Sequence, residues 1–482
     1  MQQARAKLLM GLMVAMCLSG SAAEAIGAYD ALVIKGPALN GMSSDSVAAI
    51  LTDRYGWRVG VISLGDLGRF DFAGVKVLYF PGASFLKVHL PANAKENIRH
   101  AVSQGMGWIG TCGGSLIASE IVPQGERIGL FPGLQKFGGI KGNRMFAFDV
   151  KHPIVANSRA RDRITSELEM HVNGGPRDYI LTKYAELGTK NWVVATRKDG
   201  DDEKPAVVAV LFGRGRVLLT MAHPERPQYM PASIAKAPQV IEMAAEWCSG
   251  LSDPSGNKPP KVKCKAPPSG EPGRKLDFYA VGSDDPEGYP IGFIWDFGDG
   301  SPRVFTPSAR HAFAKPGDYT VSLEVTDGKA HAVCQTQVTI AGKASDRDPI
   351  VRWLAPFSDN VLFGKVLMEV SAFDPDKGIA NGEGIREVVL ELMSGQKVVL
   401  DKTLTAVPYT WQADLATVPA GSYQLRATAI SSGGKGKKVT ATIPLTIDNK
   451  GKLVKPWVKP AVPGPRSRPA GRRQRDRRPK SE

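Results

Sequence analysis

The sequence predicts a multidomain chain: an α/β domain built on a parallel sheet, then two antiparallel β-sandwiches, then a disordered basic tail. Three observations predict it. From about residue 28 to 250, short apolar runs of strand type alternate with helix-length stretches, the pattern of a parallel sheet covered by helices. From about 262 to 449 the pattern changes to alternating strands punctuated by Gly, Pro and Asp. Beyond 450, prolines and arginines replace the apolar residues that a core requires. A length of 482 residues is also too great for one ordinary core and suggests about three domains.

Residues 1–25 read as a secretory signal, with Arg5 and Lys7 before an apolar run over 8–18 and small residues at Ser21-Ala22-Ala23 or Ala23-Glu24-Ala25 for cleavage. The apolar run is shorter than the ~20 residues needed to span a bilayer. Cys17 lies where a lipidated cysteine would, although Met16 before it fits such a site poorly, so release is expected over anchoring. No other stretch is apolar enough to cross a membrane. The expected location is secreted, periplasmic or at the cell surface, with no transmembrane segment after signal removal.

Within 26–250, strands are predicted at 31–34, 57–62 and 75–80, and helices at 44–55 and 95–104. The run Gly107-Trp108-Ile109 then enters Gly110-Thr111-Cys112-Gly113-Gly114 and a helix-like 115–120. Glycines on both sides of a cysteine fit a sharp strand-to-helix turn, where the central residue takes strained angles and its neighbours have no Cβ to clash. Such an elbow aims the sulfur out of the sheet, near a helix N-terminus that favours thiolate. Further on, an apolar strand over 216–222 ends in His223-Pro224-Glu225. The imidazole can take the thiol proton. The carboxylate two residues later, on the same face of an extended segment, can hold the imidazole in the useful tautomer. Cys112, His223 and Glu225 are therefore the candidate catalytic residues.

These features, with Tyr79-Phe80-Pro81-Gly82-Ala83, His171-Val172-Asn173-Gly174-Gly175-Pro176 and Gly213-Arg214-Gly215-Arg216, resemble the class I glutamine amidotransferase-like superfamily. Within it the nearest likeness is to the biotin-protein ligase N-terminal-like family. The resemblance covers roughly the first half of the chain and implies a flavodoxin-like α/β fold. It also implies an oxyanion hole from the loop at Gly82 and Ala83 and the amide of Gly113. Two departures stand out. Leu116 replaces the glutamine of ordinary glutaminases and the aromatic of the ligase-like family, which argues against glutamine hydrolysis and for a more apolar pocket. Ala83 replaces the second glycine of Pro-Gly-Gly. Ser84, Leu116, His171 and Asn173 are pocket candidates; a tight polar turn also accounts for His171 and Asn173.

A polar, proline-punctuated linker over 251–261 precedes the first sandwich, 262–342. Gly282-Ser283-Asp284-Asp285-Pro286, Ile294-Trp295-Asp296-Phe297-Gly298-Asp299-Gly300 and Pro316-Gly317-Asp318-Tyr319-Thr320-Val321 resemble the polycystic-kidney-disease (PKD) domain, an immunoglobulin-like sandwich. Trp295 suits its buried anchor and Asp299-Gly300 a hairpin turn. Asp284, Asp285, Asp296 and Asp299 read first as turn-forming and capping acceptors, and second as oxygen ligands for calcium. Cys264 opens this sandwich and Cys334 lies in its last strand. Those elements can be neighbours in the fold the resemblance implies, so a Cys264–Cys334 disulfide is expected. Cys248 is unassigned, and no His/Cys cluster has zinc spacing.

Residues 348–449 resemble bacterial immunoglobulin-like modules of secreted proteins, through Gly384-Ile385-Arg386-Glu387-Val388, Pro408-Tyr409-Thr410-Trp411 and Gly421-Ser422-Tyr423-Gln424-Leu425. Both sandwiches read as spacers or adhesion modules. The tail, 450–482, concentrates Arg466, Arg468, Arg472, Arg473, Arg475, Arg477, Arg478 and Lys480 within a chain of net charge +15. Cell-wall polymers, lipid headgroups and acidic polysaccharide are its nearest polyanions in an exported protein, and nucleic acid is not expected. The tail is equally readable as solvated and without a partner.

The functional expectation is an exported cysteine-dependent amidase or acyl hydrolase acting on an amide- or ester-bearing small molecule or a cell-wall-type substrate, with no cofactor. The alternative is a non-catalytic surface protein, binding carbohydrate or another partner, that uses the α/β domain as a scaffold.

Overall fold

A computed structural model describes residues 29–459, except 123, 139, 182–190, 200–201, 226–236, 343–346, 433–435 and 449–452. The expected signal, Cys17 and the arginines of the tail lie outside the described residues.

The first strand, β1 (Ala31–Lys35), is apolar and buried from Ala31 to Ile34, as a strand covered on both faces must be. It leads into α1 (Gly41–Tyr55), whose N-cap Asn40 side chain accepts from the Ser43 amide and whose end is set by Gly56 at φ 65°. Next come β2 (Val59–Ser63), β3 (Val77–Phe80), α2 (Ala92–Ser103), β4 (Gly107–Thr111) and the five-residue α3 (Gly113–Ile117). After them run β5 (Ser119–Ile121), β6 (Phe131–Phe137), β7 (Lys141–Phe148), α4 (Pro153–Ala156), β8 (Glu167–Asn173), β9 (Pro176–Leu181), β10 (Val193–Asp199), β11 (Asp202–Phe212), β12 (Gly215–Thr220) and α5 (Pro238–Ser249).

Strands β2, β1, β3, β4 and β12 lie side by side in parallel. Antiparallel β11, β10, β7 and β8 extend the sheet beyond β12. Strands β5, β6 and β9 form a separate small sheet.

Antiparallel sheets follow. In the first sandwich Trp295 is buried and donates from Nε1 to the Thr306 carbonyl at 3.0 Å. Cys264 and Cys334 form the expected disulfide, their Cα atoms 6.2 Å apart. In the second, Tyr423 closes a corner by donating to the Pro419 carbonyl at 2.9 Å, as Tyr319 does to Lys315 in the first at 2.8 Å.

The sandwiches pack against the first domain. The α/β domain and the first sandwich share one continuous apolar core, with Phe212 and Phe305 ring centroids 4.8 Å apart. The second sandwich folds back on the head: the Val361 amide donates to Arg69 O at 2.6 Å, and Asn360 Nδ2 to Phe70 O at 3.2 Å. Arg352 of the second sandwich also pairs with Asp296 of the first at 2.6 Å.

One expectation is corrected: the tail, expected to be disordered over 450–482, is ordered over 453–459. Val454–Pro456 pairs antiparallel with the outer strand β2, and the Trp457 indole donates to Asp45 at 2.9 Å. An unpaired outer strand presents a row of free backbone groups, and this segment covers them. Truncation after Asp448 is therefore expected to make the protein self-associate through β2, read as a concentration-dependent increase in mass by size-exclusion chromatography with light scattering. A strictly monomeric truncated chain would argue against that protective role.

Candidate active site

Cys112 sits between β4 and α3 with φ 50° and ψ −114°, in the left-handed half of backbone space that non-glycine residues rarely occupy. Such strain costs about 1–3 kcal/mol and persists because the surroundings over-determine it. The Cys112 amide donates to the Thr220 carbonyl of β12 at 2.9 Å. Behind the elbow, the Ser115 hydroxyl serves the carbonyls of Gly110 at 2.7 Å and Thr220 at 2.8 Å. The glycines are needed for close approach. A methyl on Gly114 would overlap the Phe80 carbonyl, and one on Gly113 would lie 2.7 Å from the Ala83 nitrogen. The helix after the elbow ends at Ile117, short of the expected 120, so its dipole is small.

His223 and Glu225 follow β12, the strand parallel to β4, so two segments distant in sequence end at the same edge of the sheet. Cys112 and His223 line the same cleft. The ring Nδ1 lies 3.1 Å from Glu225 Oε1, and both residues are buried. Burial alone would lower the imidazole pKa, but the neighbouring Cys112 thiol and the Glu225 carboxylate raise it to about 10. Burial pushes the Glu225 carboxyl up, and the His223 ring more than offsets this, holding it below its ordinary range.

The carboxylate is itself oriented. Thr111 Oγ1 donates to Glu225 Oε1 at 3.3 Å and lies 2.9 Å from the Tyr79 hydroxyl. Sequence reasoning missed Tyr79 and Thr111 as members of the site. Their position at the carboxyl ends of neighbouring parallel strands is the signal that could have found them.

Gly82, Ala83 and Ser84 line the cleft with Cys112 and His223. A methyl on Gly82 would overlap the imidazole, so this loop lies directly on the ring. Asn173 also lines the cleft, and its carbonyl lies 3.6 Å from Cys112 Sγ. The β8–β9 connection is thus both a tight turn, with Gly174 at φ 77°, and a wall of the site. His171 stands outside the lining. Its ring centroid is 6.4 Å from that of His223, and its Nδ1 lies 3.2 Å from Asn143 Oδ1. Leu116 is a correction: it is 1% exposed in the core and does not shape the pocket, because α3 is covered by the small sheet.

The cleft has a volume of about 760 Å³, and Ala38, Leu39, Asn40, Gly41, Met42 and Lys141 complete its walls. Asn40 and its neighbours follow β1 at the same sheet edge as the elbow and were legible in principle. Lys141 opens β7 and carried no sequence signal.

The other candidates have different work. Cys248 is buried, and burial pushes its thiol up to about 12, which makes it a packing residue. Asp296 pairs with Arg303 and Arg352, Asp299 with His311, and Asp285 accepts from the amides of Glu287 and Tyr289. Asp284 contributes its backbone to a bridge with Lys261. The side chains of Asp285, Asp296 and Asp299 are spent on turns and ion pairs, and among the described residues no group of three or more His, Cys, Asp or Glu side chains is placed to hold a metal.

Comparison with known proteins bears on the first sandwich. Residues 257–341 match the family model of the PKD domain and form such a domain. The chain is 31% identical over 94 residues to a microbial collagenase of Vibrio alginolyticus, covering 20% of this chain and 11% of that protein. It is 36% identical over 85 residues to polycystin-1 of Homo sapiens, covering 17% and 2%. The chain therefore spans about a tenth or less of the length of the curated relatives it matches. Among solved structures, the PKD domain of an M14-like peptidase from Thermoplasmatales archaeon SCGC AB-540-F20 matches at 22% identity, covering 18% of this chain and all of that one, with a TM-score of 0.16.

Proposed function

We propose that the chain is an exported cysteine-dependent amidase or acyl hydrolase, with an N-terminal domain of the flavodoxin-like, glutamine amidotransferase-like kind. One observation supports this reading: a cysteine on a strained elbow and an imidazole held against a buried carboxylate, from segments over a hundred residues apart, meet at one cleft. Their order is that of a nucleophile, its base and the base's orienting group.

In the reaction, Cys112 Sγ attacks the acyl carbon as His223 takes the thiol proton. The amides of Ala83 and Gly113, on adjoining loops, stabilise the resulting oxyanion. The C–N or C–O bond then breaks, and His223 returns the proton to the leaving group, producing a thioester on Cys112. Water, deprotonated by His223, attacks the thioester; the acid leaves and the thiol is restored. Glu225 balances the imidazolium in both steps.

The PKD domain and the Cys264–Cys334 disulfide support an oxidising, extracellular setting. The matched collagenases and polycystin-1 share too little of this chain to supply a substrate. The reading is tested by alkylation of Cys112 with iodoacetamide at pH 6–7, followed by peptide mass spectrometry. Cys112 should react faster than free N-acetylcysteine, and His223→Ala should slow it by about 100-fold. A Cys112 that reacts no faster than an ordinary buried thiol, with or without His223, would favour the scaffold over the enzyme.

A further inference from the structure

We propose that the cleft selects acyl compounds bearing a carboxylate, which Lys141 receives while the scissile carbonyl lies at Cys112; the inference rests on the hydrolase reading above. The lining holds two cationic side chains, Lys141 and His223, and no carboxylate. The charge of His223 is matched by Glu225 beneath it. That of Lys141 is not: among the described residues no acidic side chain pairs with it. Asp45, in the first turns of α1 beside the cleft, is already engaged by Lys35 and by the indole of Trp457. The cleft therefore presents one uncompensated positive charge to whatever enters it.

The rest of the lining narrows the class. Asn40, Ser84 and Asn173 offer neutral polar contacts, and Leu39 and Met42 an apolar surface. Such walls suit a small acyl compound with a short apolar body. One ammonium carries one charge, so a singly charged carboxylate is the anion it matches. Lys141 is solvent-exposed, and its preference for an anion is accordingly modest and sensitive to salt.

The probes are two alkylating agents of nearly equal size, iodoacetate, which carries a carboxylate, and iodoacetamide, which is neutral. Their rate ratio at Cys112 is divided by the same ratio for N-acetylcysteine. The full chain is expected to show a normalised ratio above one that falls about fivefold in Lys141→Gln, the size of an exposed ion pair. It should fall similarly in the wild type at high salt. Lys151→Gln, which removes an exposed charge outside the cleft, should keep the wild-type ratio. An unchanged ratio in Lys141→Gln overturns the proposal. The two readings fail separately. A fast thiol whose ratio ignores Lys141 keeps the hydrolase and rejects the carboxylate site, whereas a slow thiol whose ratio depends on Lys141 keeps an anion site and rejects the hydrolase.

Discussion

Glu225→Gln is expected to leave the fold intact and slow Cys112 alkylation at pH 7 by about 100-fold or more, comparable to loss of His223 itself. The carboxylate accepts a hydrogen bond from Nδ1–H and stabilises the imidazolium formed when the ring takes the thiol proton, in keeping with the raised pKa of the ring. An amide can donate to Nδ1 instead, which places the proton on Nε2 and removes the acceptor. The same change alters stability with a defined pH signature. His223 has its pKa raised to about 10 in the folded protein, so its contribution is complete below its ordinary value near 6.5 and is lost as pH rises through about 10. Glu225 is held low, so its contribution is present above the ordinary carboxylate range and is lost as pH falls through the depressed value. Wild type should therefore melt above Glu225→Gln at pH 5–7, and the gap should close at both extremes. An unaltered alkylation rate in Glu225→Gln would remove the carboxylate from the mechanism.

Arg216→Met should destabilise the chain by about 3 kcal/mol and loosen the first sandwich from the head. Arg216 is buried on β12. It pairs with Asp253 at 2.7 Å, donates to Trp247 O at 2.8 Å and reaches Asp327 O at 3.2 and 3.3 Å, with Trp247 beneath the guanidinium. One side chain thus joins the sheet, α5, the linker and the PKD domain. Methionine fills the volume but leaves Asp253 and the carbonyls without their donor. Thermal unfolding together with limited proteolysis across 251–261 reads both effects. Equal melting and equal cleavage rates would show that the two domains do not depend on this contact. Arg216→Lys, retaining one charge but not the fork, should fall between.

Much of the site was legible because its requirements are local. A nucleophile turn demands glycines at fixed offsets from Cys112, and an imidazole with its orienting carboxylate fits in three residues, His223-Pro224-Glu225. The PKD domain was legible for the same reason, through Trp295 and the Asp299-Gly300 turn. Leu116 was misread because one turn of helix does not reveal which face the small sheet covers. Lys141, Tyr79 and Thr111 join the site only through register between strands far apart in the chain. The acids of the first sandwich looked available for calcium because Arg352, which neutralises Asp296, arrives from the next domain.

By itself the sequence determined which residues are candidates for the chemistry and where the PKD domain lies, because turns, alternation and elbows are set by residues within a few positions of one another. Only the tertiary structure decided what surrounds that chemistry: the lysine in the cleft, the sandwiches folded back on the head, and Val454–Pro456 closing the outer strand. Those outcomes depend on which distant backbone edges and charges meet, and pairing across hundreds of residues leaves no periodic trace in either partner alone.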